Sequence, residues 1–196
     1  MINYNKLRDE AFKVALDHGF YHNPYSFDHY LAHVVAELGE AYNAHRNGRL
    51  PDAKQLVRLC HKPKSIRDRV FRMRRPNKDR LFYDAFERCV KDSVIDELAD
   101  AVICLLSTAG NFELDIDNAE HSITYRRMYN KWSFAENAIA CERVLLDKRQ
   151  TKEARVRFAV DYILKWAKAM NYNLADYIDL KMRYNKLRPM FNGKQY

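Results

Sequence analysis

HYLAHVVAELGEAYNAHR, residues 29–46, is the stretch whose reading decides the fold. Its apolar residues Leu31, Val34, Val35, Leu38, Ala41 and Tyr42 fall on one arc at helical spacing, so the segment reads as an amphipathic helix. A second stretch, VKDSVIDELADAVICLLSTAG (90–110), repeats the pattern with Val94, Leu98, Ala101, Val102, Leu105 and Ala109. Each stretch carries a carboxylate pair, Glu37 with Glu40 and Glu97 with Asp100. The i, i+3 spacing puts both members of a pair on one face, about one turn apart. At about 100° per residue, the two pairs stand at nearly the same offset from their arcs. Two helices packed through those arcs bring the four carboxylates together along one edge of the seam.

Such convergence needs a counter-charge. One like-charge pair at roughly 4 Å costs about 4 kcal/mol at an effective dielectric near 20. A fold that assembles four carboxylates is therefore expected to hold Mg²⁺ or Mn²⁺, hard ions that take oxygen ligands. Beside Asp100, the small residues Ala101, Cys104 and Ser107 leave room for a ligand.

The bulk properties agree with a helical reading. The chain has 196 residues, enough for one domain with a real core, and only five glycines and five prolines, which argues for helices and against β-rich folds. It contains neither G-x-G-x-x-G nor a Walker A loop, so nucleotide sites built on glycine are excluded. Cys60, Cys89, Cys104 and Cys141 form no C-x-x-C pair and read as reduced thiols of a cytoplasmic protein. The charged start MINYNKLRDEAFKV lacks the apolar core of a signal peptide, and no apolar run approaches a membrane span.

Along the chain, the pattern predicts helices over about 4–18 and 27–45, a single long helix over about 82–108, and a last helix over about 174–187 that stops before Pro189. Between them lie FAENAIACERVLLDK (134–148) and KEARVRFAVDYILKWAKAM (152–170), both amphipathic. Residues 49–80 form a basic insertion with breaks at Pro63 and Pro76. From Lys54 to Arg80 the only acidic residues are Asp68 and Asp79, and this segment alone accounts for the whole net charge of +8. The expected architecture is one all-α domain over 1–196, a helical bundle with the basic insertion at about 49–80 and a helical insertion at about 119–170.

The two acidic blocks, AELGEAYNAHRNGR and KDSVIDELADAVICLL, resemble the MazG-like superfamily of all-α nucleoside triphosphate pyrophosphohydrolases. Its hallmark is E-E-x-x-E on one helix and E-x-x-D on the next; here Ala36 stands at the first hallmark position. A third block, KMRYNKLRP followed by NGK, is similar to the same family and contains Lys181, Tyr184, Asn185, Arg188 and Pro189. The resemblance implies a four-helix core, assembly as a homo-dimer or homo-tetramer, and Mg²⁺-dependent cleavage of a nucleoside triphosphate to monophosphate and pyrophosphate. It implies that Glu37, Glu40, Glu97 and Asp100 are metal ligands and that Glu37 or Glu40 orients or deprotonates the attacking water. Lys181 and Arg188 are then expected on phosphates, Tyr184 and Asn185 on the nucleotide or in fixing the site, and Lys91 as a further phosphate contact. Phe20, Tyr21 and His22 are candidates for stacking on a base.

Two rival readings exist. A di-iron carboxylate bundle needs E-x-x-H pairs, and the sequence contains none. A nucleic-acid-binding protein without catalysis finds support in the basic 54–80 segment, with Phe71 among its arginines. Nucleic-acid binding through many phosphates falls steeply with salt, whereas metal-dependent turnover of a free nucleotide is abolished by EDTA.

Overall fold

Side-chain caps set where the helices begin. Asn3, Ser26, Ser93, Ser133 and Thr151 each accept a hydrogen bond from the backbone N–H three residues on, satisfying one of the donors that a helix start leaves without a partner. Ser133 and Glu136 close a full capping box. The computed structural model describes residues 3–60, 78–119, 129 and 131–193, and the regular structure among them is entirely helical. In chain order the helices are α1 (Tyr4–Asp17), α2 (Phe27–Arg46), α3 (Ala53–Cys60), α4 (Lys78–Cys89), α5 (Val94–Asn111), α6 (Phe134–Leu145), α7 (Lys152–Ala169) and α8 (Leu174–Asn185), followed by a 3₁₀ turn, Met190–Gly193. None of the described helices is long and apolar enough to cross a membrane.

α5 is the axis of the bundle and packs against α1, α2, α7 and α8. It is buried on nearly every side from Val94 to Ala109, which is why its sequence is apolar almost all round rather than along one stripe. Leu31, Val34, Leu38 and Ala41 of α2 meet Leu98, Ala101, Val102 and Leu105 of α5 in one continuous core. α6 and α7 complete that core with Phe134, Cys141, Val156, Ile163 and Trp166. A second, smaller core gathers Leu56 of α3, Phe82 and Phe86 of α4, and Tyr184 of α8. Arg155, buried in α7, ties the corner together. Its Nε donates to the Leu145 carbonyl at 2.6 Å, and its guanidinium lies 5.1 Å from the Phe27 ring.

The single helix predicted over 82–108 is two helices. The apolar phase of Phe86, Cys89, Val90 and Val94 runs through the junction, but the backbone turns there. Asp92 has φ of 60°, a left-handed conformation that Asp tolerates better than most residues. Ser93 then caps α5 through the Asp96 N–H, and the Asp96 carboxylate accepts the Asp92 N–H at 3.0 Å. The pattern S-x-x-D at 93–96 is a helix-start signal that the apolar phase obscured. The predicted insertion over 49–80 contributes α3 and the start of α4, while residues 61–77 lie outside the described residues.

Close approach of α1 to α5 depends on Gly110, where a Cβ would stand 2.4 Å from Cβ of Phe12. Gly39, in the middle of α2, is different, since a Cβ there meets no atom within 4 Å. We expect Gly110→Ala to destabilise the fold by about 1–3 kcal/mol through overpacking. Gly39→Ala should stabilise it by about 0.5–1 kcal/mol by restricting the unfolded chain. Urea denaturation of both variants checks the pair; equal effects of one sign would contradict this packing.

Candidate metal centre

The apolar registers of α2 and α5 dictate where the carboxylates stand. On α2, Leu38 and Ala41 point into the core, which leaves Glu37 half-buried at the seam and Glu40 exposed beyond it. On α5 there is no solvent-facing side at this level, so Asp96 and Glu97 are buried with only 2% and 6% exposure. Glu37, Glu40 and Glu97 each offer a carboxylate oxygen within 4.8 Å of the others. Two helices thus bring three of the four predicted ligands together. Asp92, Asp96 and Glu97 form a second trio by the same measure, sharing Glu97.

Asp100 joins neither trio. Its Oδ2 lies 2.8 Å from Nζ of Lys181, and the same ammonium is 2.7 Å from Oδ1 of Asp96. Lys181 is itself only 3% exposed. The Phe86 and Tyr184 rings lie 5.7 and 5.5 Å from its ammonium, close enough for a cation–π contribution. Burial alone would lower the Lys181 pKa, but Asp100 and Asp96 outweigh it and the group is held protonated. The expected phosphate-binding lysine is therefore a buried counter-ion in this structure. Breaking such a pair costs about 3–5 kcal/mol.

Glu97 has no hydrogen bond and no ion pair to its carboxylate among the described residues. Burial pushes its pKa up to about 9, helped by Asp96, Asp100 and Glu37 and opposed by Lys181. Asp96 is also raised, chiefly by burial, with Lys181 pulling the other way. The donor set suits a hard divalent ion, being all carboxylate oxygen from two rigid helices. Loading it must displace the Glu97 proton.

Beside the trio lies a cavity of about 150 Å³. Its walls are Ala11, Val14 and His18 of α1, Tyr30, His33 and Glu37 of α2, and Asp100, Cys104, Ser107 and Thr108 of α5. Phe20, Tyr21, Asn185 and Arg188 also line it. The small residues after Asp100 do line open space, as their size suggested. Tyr21 is fixed by donating to Ser107 Oγ at 2.9 Å, and its ring is tilted 44° to that of Tyr30, centroids 4.9 Å apart. His22 is exposed and does not line this cavity. Asn185 is 7% exposed, and its Oδ1 has no hydrogen-bond partner.

Two candidates stand elsewhere. Tyr184 is 1% exposed, sandwiched with Phe86 and Tyr83, and donates its hydroxyl to Glu87. It packs the second core rather than lining the cavity. Lys91 sits in the turn before α5 and pairs with Asp92 at 3.1 Å. The sequence reading missed Asp96 as a member of the cluster, although D-x-x-x-D at 96 and 100 places both on one helix face. Of the basic segment, Lys54 and Arg58 lie on α3, Lys78 and Arg80 on α4, with Arg80 paired to Asp84 at 3.0 Å. The rest of it, 61–77, is outside the described residues. No family model, no curated protein and no solved structure matches this chain.

The Glu97 proton has a sign consequence. From 4.5 to about 9, folded Glu97 keeps a proton that the unfolded chain releases. Stability in EDTA is then greatest at the acid end of that window and falls as pH rises, by at most about 1.4 kcal/mol per pH unit. Urea titrations across neutral pH should show this decline, and Glu97→Gln should flatten it. A decline unchanged in the variant would assign the proton to another group.

Proposed function

We propose that this chain is a Mg²⁺-dependent nucleoside triphosphate pyrophosphohydrolase that releases monophosphate and pyrophosphate. The observation that carries the reading is the meeting of Glu37, Glu40 and the buried Glu97 beside an aromatic-walled cavity. The resemblance of the acidic blocks and of the 181–189 block to MazG-like enzymes supports the same reading, including the family's four-helix core and a homo-dimeric or homo-tetrameric assembly. Mn²⁺ satisfies the same oxygen donors.

A divalent cation bound by the three glutamates supplies charge neutralisation for the triphosphate and Lewis acidity toward its oxygens. The remaining work falls to the chain. Phosphoryl transfer is mainly positioning and electrostatics. Glu37 and Glu40 are the carboxylates able to orient or deprotonate a water from the accessible side of the cluster. Arg188, on the cavity wall, offers a planar fork to phosphate oxygens. Asn185 presents an amide whose acceptor is unmet by protein, and a nucleotide N–H or O–H would satisfy it. Phe20, Tyr21 and Tyr30 supply apolar surface for a base. Lys181 acts in this scheme by holding Asp96 and Asp100 in place.

Incubation of the purified protein with Mg²⁺ and a panel of ribo- and deoxyribonucleoside triphosphates tests the reaction. We expect monophosphate plus pyrophosphate, abolished by EDTA and reduced at least about a hundredfold in Glu97→Gln, which keeps the shape of the site. Diphosphate plus phosphate, or equal turnover by the variant, would overturn the proposal. Asn185→Leu separates binding from folding. Removing a buried unsatisfied acceptor, a penalty of about 1–3 kcal/mol, should raise the melting temperature while KM rises. A fall in melting temperature with unchanged KM would place the amide outside the substrate site.

A further inference from the structure

We infer that residues 188–191 are a latch that ties two stretches of the cavity wall together, and that its release from His18 and Gly19 admits a ligand to the cavity. The inference concerns entry and depends neither on a bound ion nor on the identity of the ligand. One stretch of wall contains His18, Phe20 and Tyr21, the other Asn185 and Arg188. They are far apart in sequence, and the latch joins them. The Phe191 N–H donates to the His18 carbonyl at 2.9 Å. The Phe191 ring stands edge-on to that of Phe20, centroids 6.1 Å apart. Nε2 of His18 lies 3.2 Å from the Arg188 carbonyl, and the Arg188 N–H donates to the Asn185 carbonyl at 3.1 Å. The ring of Phe191 has its seat because residue 19 is glycine. Gly19 has φ of 89°, and a Cβ there would stand 3.0 Å from Cε1 and Cζ of Phe191.

Three features make this latch easy to release. Phe191 has φ of 52°, a left-handed conformation that a bulky residue keeps only where its surroundings impose it. Release lets that backbone relax. The His18 ring has a second claim on it, since Nδ1 lies 2.8 Å from the Val14 carbonyl. A neutral imidazole donates from one nitrogen only, so the nearer carbonyl, in the same helix, competes with that of Arg188. Pro189 and Met190 are exposed, so this part of the chain holds on through little buried apolar surface, as segments that open locally do. The cavity also contains a group that opening would serve. Oδ1 of Asn185 is buried and has no hydrogen-bond partner. A ligand donor reaches that oxygen only if the wall around it moves.

Two measurements on the whole chain test this without metal or nucleotide. Native-state hydrogen exchange in low urea should show the Phe191 amide exchanging at least about a hundredfold faster than the amides of α5, yet slower than a free peptide and with no dependence on urea, as a local opening behaves. Protection equal to that of α5, or none, would overturn the inference. The second measurement reads access to the cavity. Cys104 lines it, and Cys141 is fully buried in the main core. Labelling with iodoacetamide, resolved by mass spectrometry of peptides, reports on both thiols at once. Phe191→Ala removes the ring contacts but keeps a side chain at the left-handed position. It should speed labelling of Cys104 at least about tenfold, through the lost apolar contact, and leave Cys141 unchanged. Unchanged labelling of Cys104 would show that the latch does not govern entry. A rise at Cys141 in step with Cys104 would assign Phe191 to the stability of the whole fold. Either result overturns the inference. If the variant does not fold, hydrogen exchange of the unmodified chain still decides whether the segment opens on its own.

Discussion

The crowding of three carboxyl groups on one helix, Asp96 and Glu97 buried and Asp100 half-buried, is the constraint to which the rest of this molecule is fitted. α5 has no solvent-facing side where Asp96 and Glu97 stand, because α1, α2, α7 and α8 surround it. Among these three groups, repulsion from Asp96 and Asp100 in a medium that screens poorly adds to burial in keeping Glu97 protonated. One ammonium, Lys181, offsets two of them at 2.7 and 2.8 Å. The third, Glu97, is left facing Glu37 and Glu40 of α2. Without Lys181, Asp96 and Asp100 would lose the ammonium that both of them face.

The short helix α8 connects that charge problem to the surrounding architecture. Lys181, Tyr184 and Asn185 lie at i, i+3 and i+4 and so share a side of the helix, yet each meets a different environment. Lys181 enters the carboxylate cluster, Tyr184 stacks on Phe86 in the second core, and Asn185 reaches the cavity. Arg183, on the outer side, pairs with Asp79 of α4 at 3.1 Å and lies over the Phe82 ring. Packing of the α3–α4 unit against α8 thereby helps set the position of the ammonium and of the cavity amide at once.

Much of this was legible in the sequence, for reasons that separate local from long-range physics. The all-α architecture and the faces of α2 and α5 follow from the spacing of apolar residues, and the equal offsets of Glu37 and Glu97 from their arcs follow from helix geometry alone. Lys181 was singled out, but its role was not legible, since an exposed phosphate-binding lysine and a buried counter-ion carry the same letter. What distinguishes them is the packing of α8 on α5, which no local pattern encodes. The contact of Asp100 with Lys181 was not legible for the same reason. Tyr184 reads as a site residue by its neighbours in the 181–189 block and as core by the aromatic spacing of Phe82 and Phe86 on another helix. The break before α5 was legible in principle from Ser93 and Asp96, but helical phase alone does not detect a turn that preserves it.

Two groups in the site stand outside the protein's own accounting, and their chemistry differs. Glu97 is a buried carboxyl whose proton a cation would have to displace, while the Asn185 carbonyl oxygen has no hydrogen-bond partner. A cation alone answers the first, and a neutral ligand alone answers the second. A phosphate ester with a polar organic part answers both when it arrives with a divalent ion, because the anion completes the ion's coordination while the organic part reaches the amide. On the proposed reading, ion and nucleotide therefore reinforce each other's binding, and by linkage the reinforcement is mutual. On that reading the nucleotide's phosphates would complete the ion's shell and meet side chains of the cavity wall, Arg188 among them. On the same reading, selectivity for the organic part of the ligand would come from the Asn185 amide and the aromatic wall.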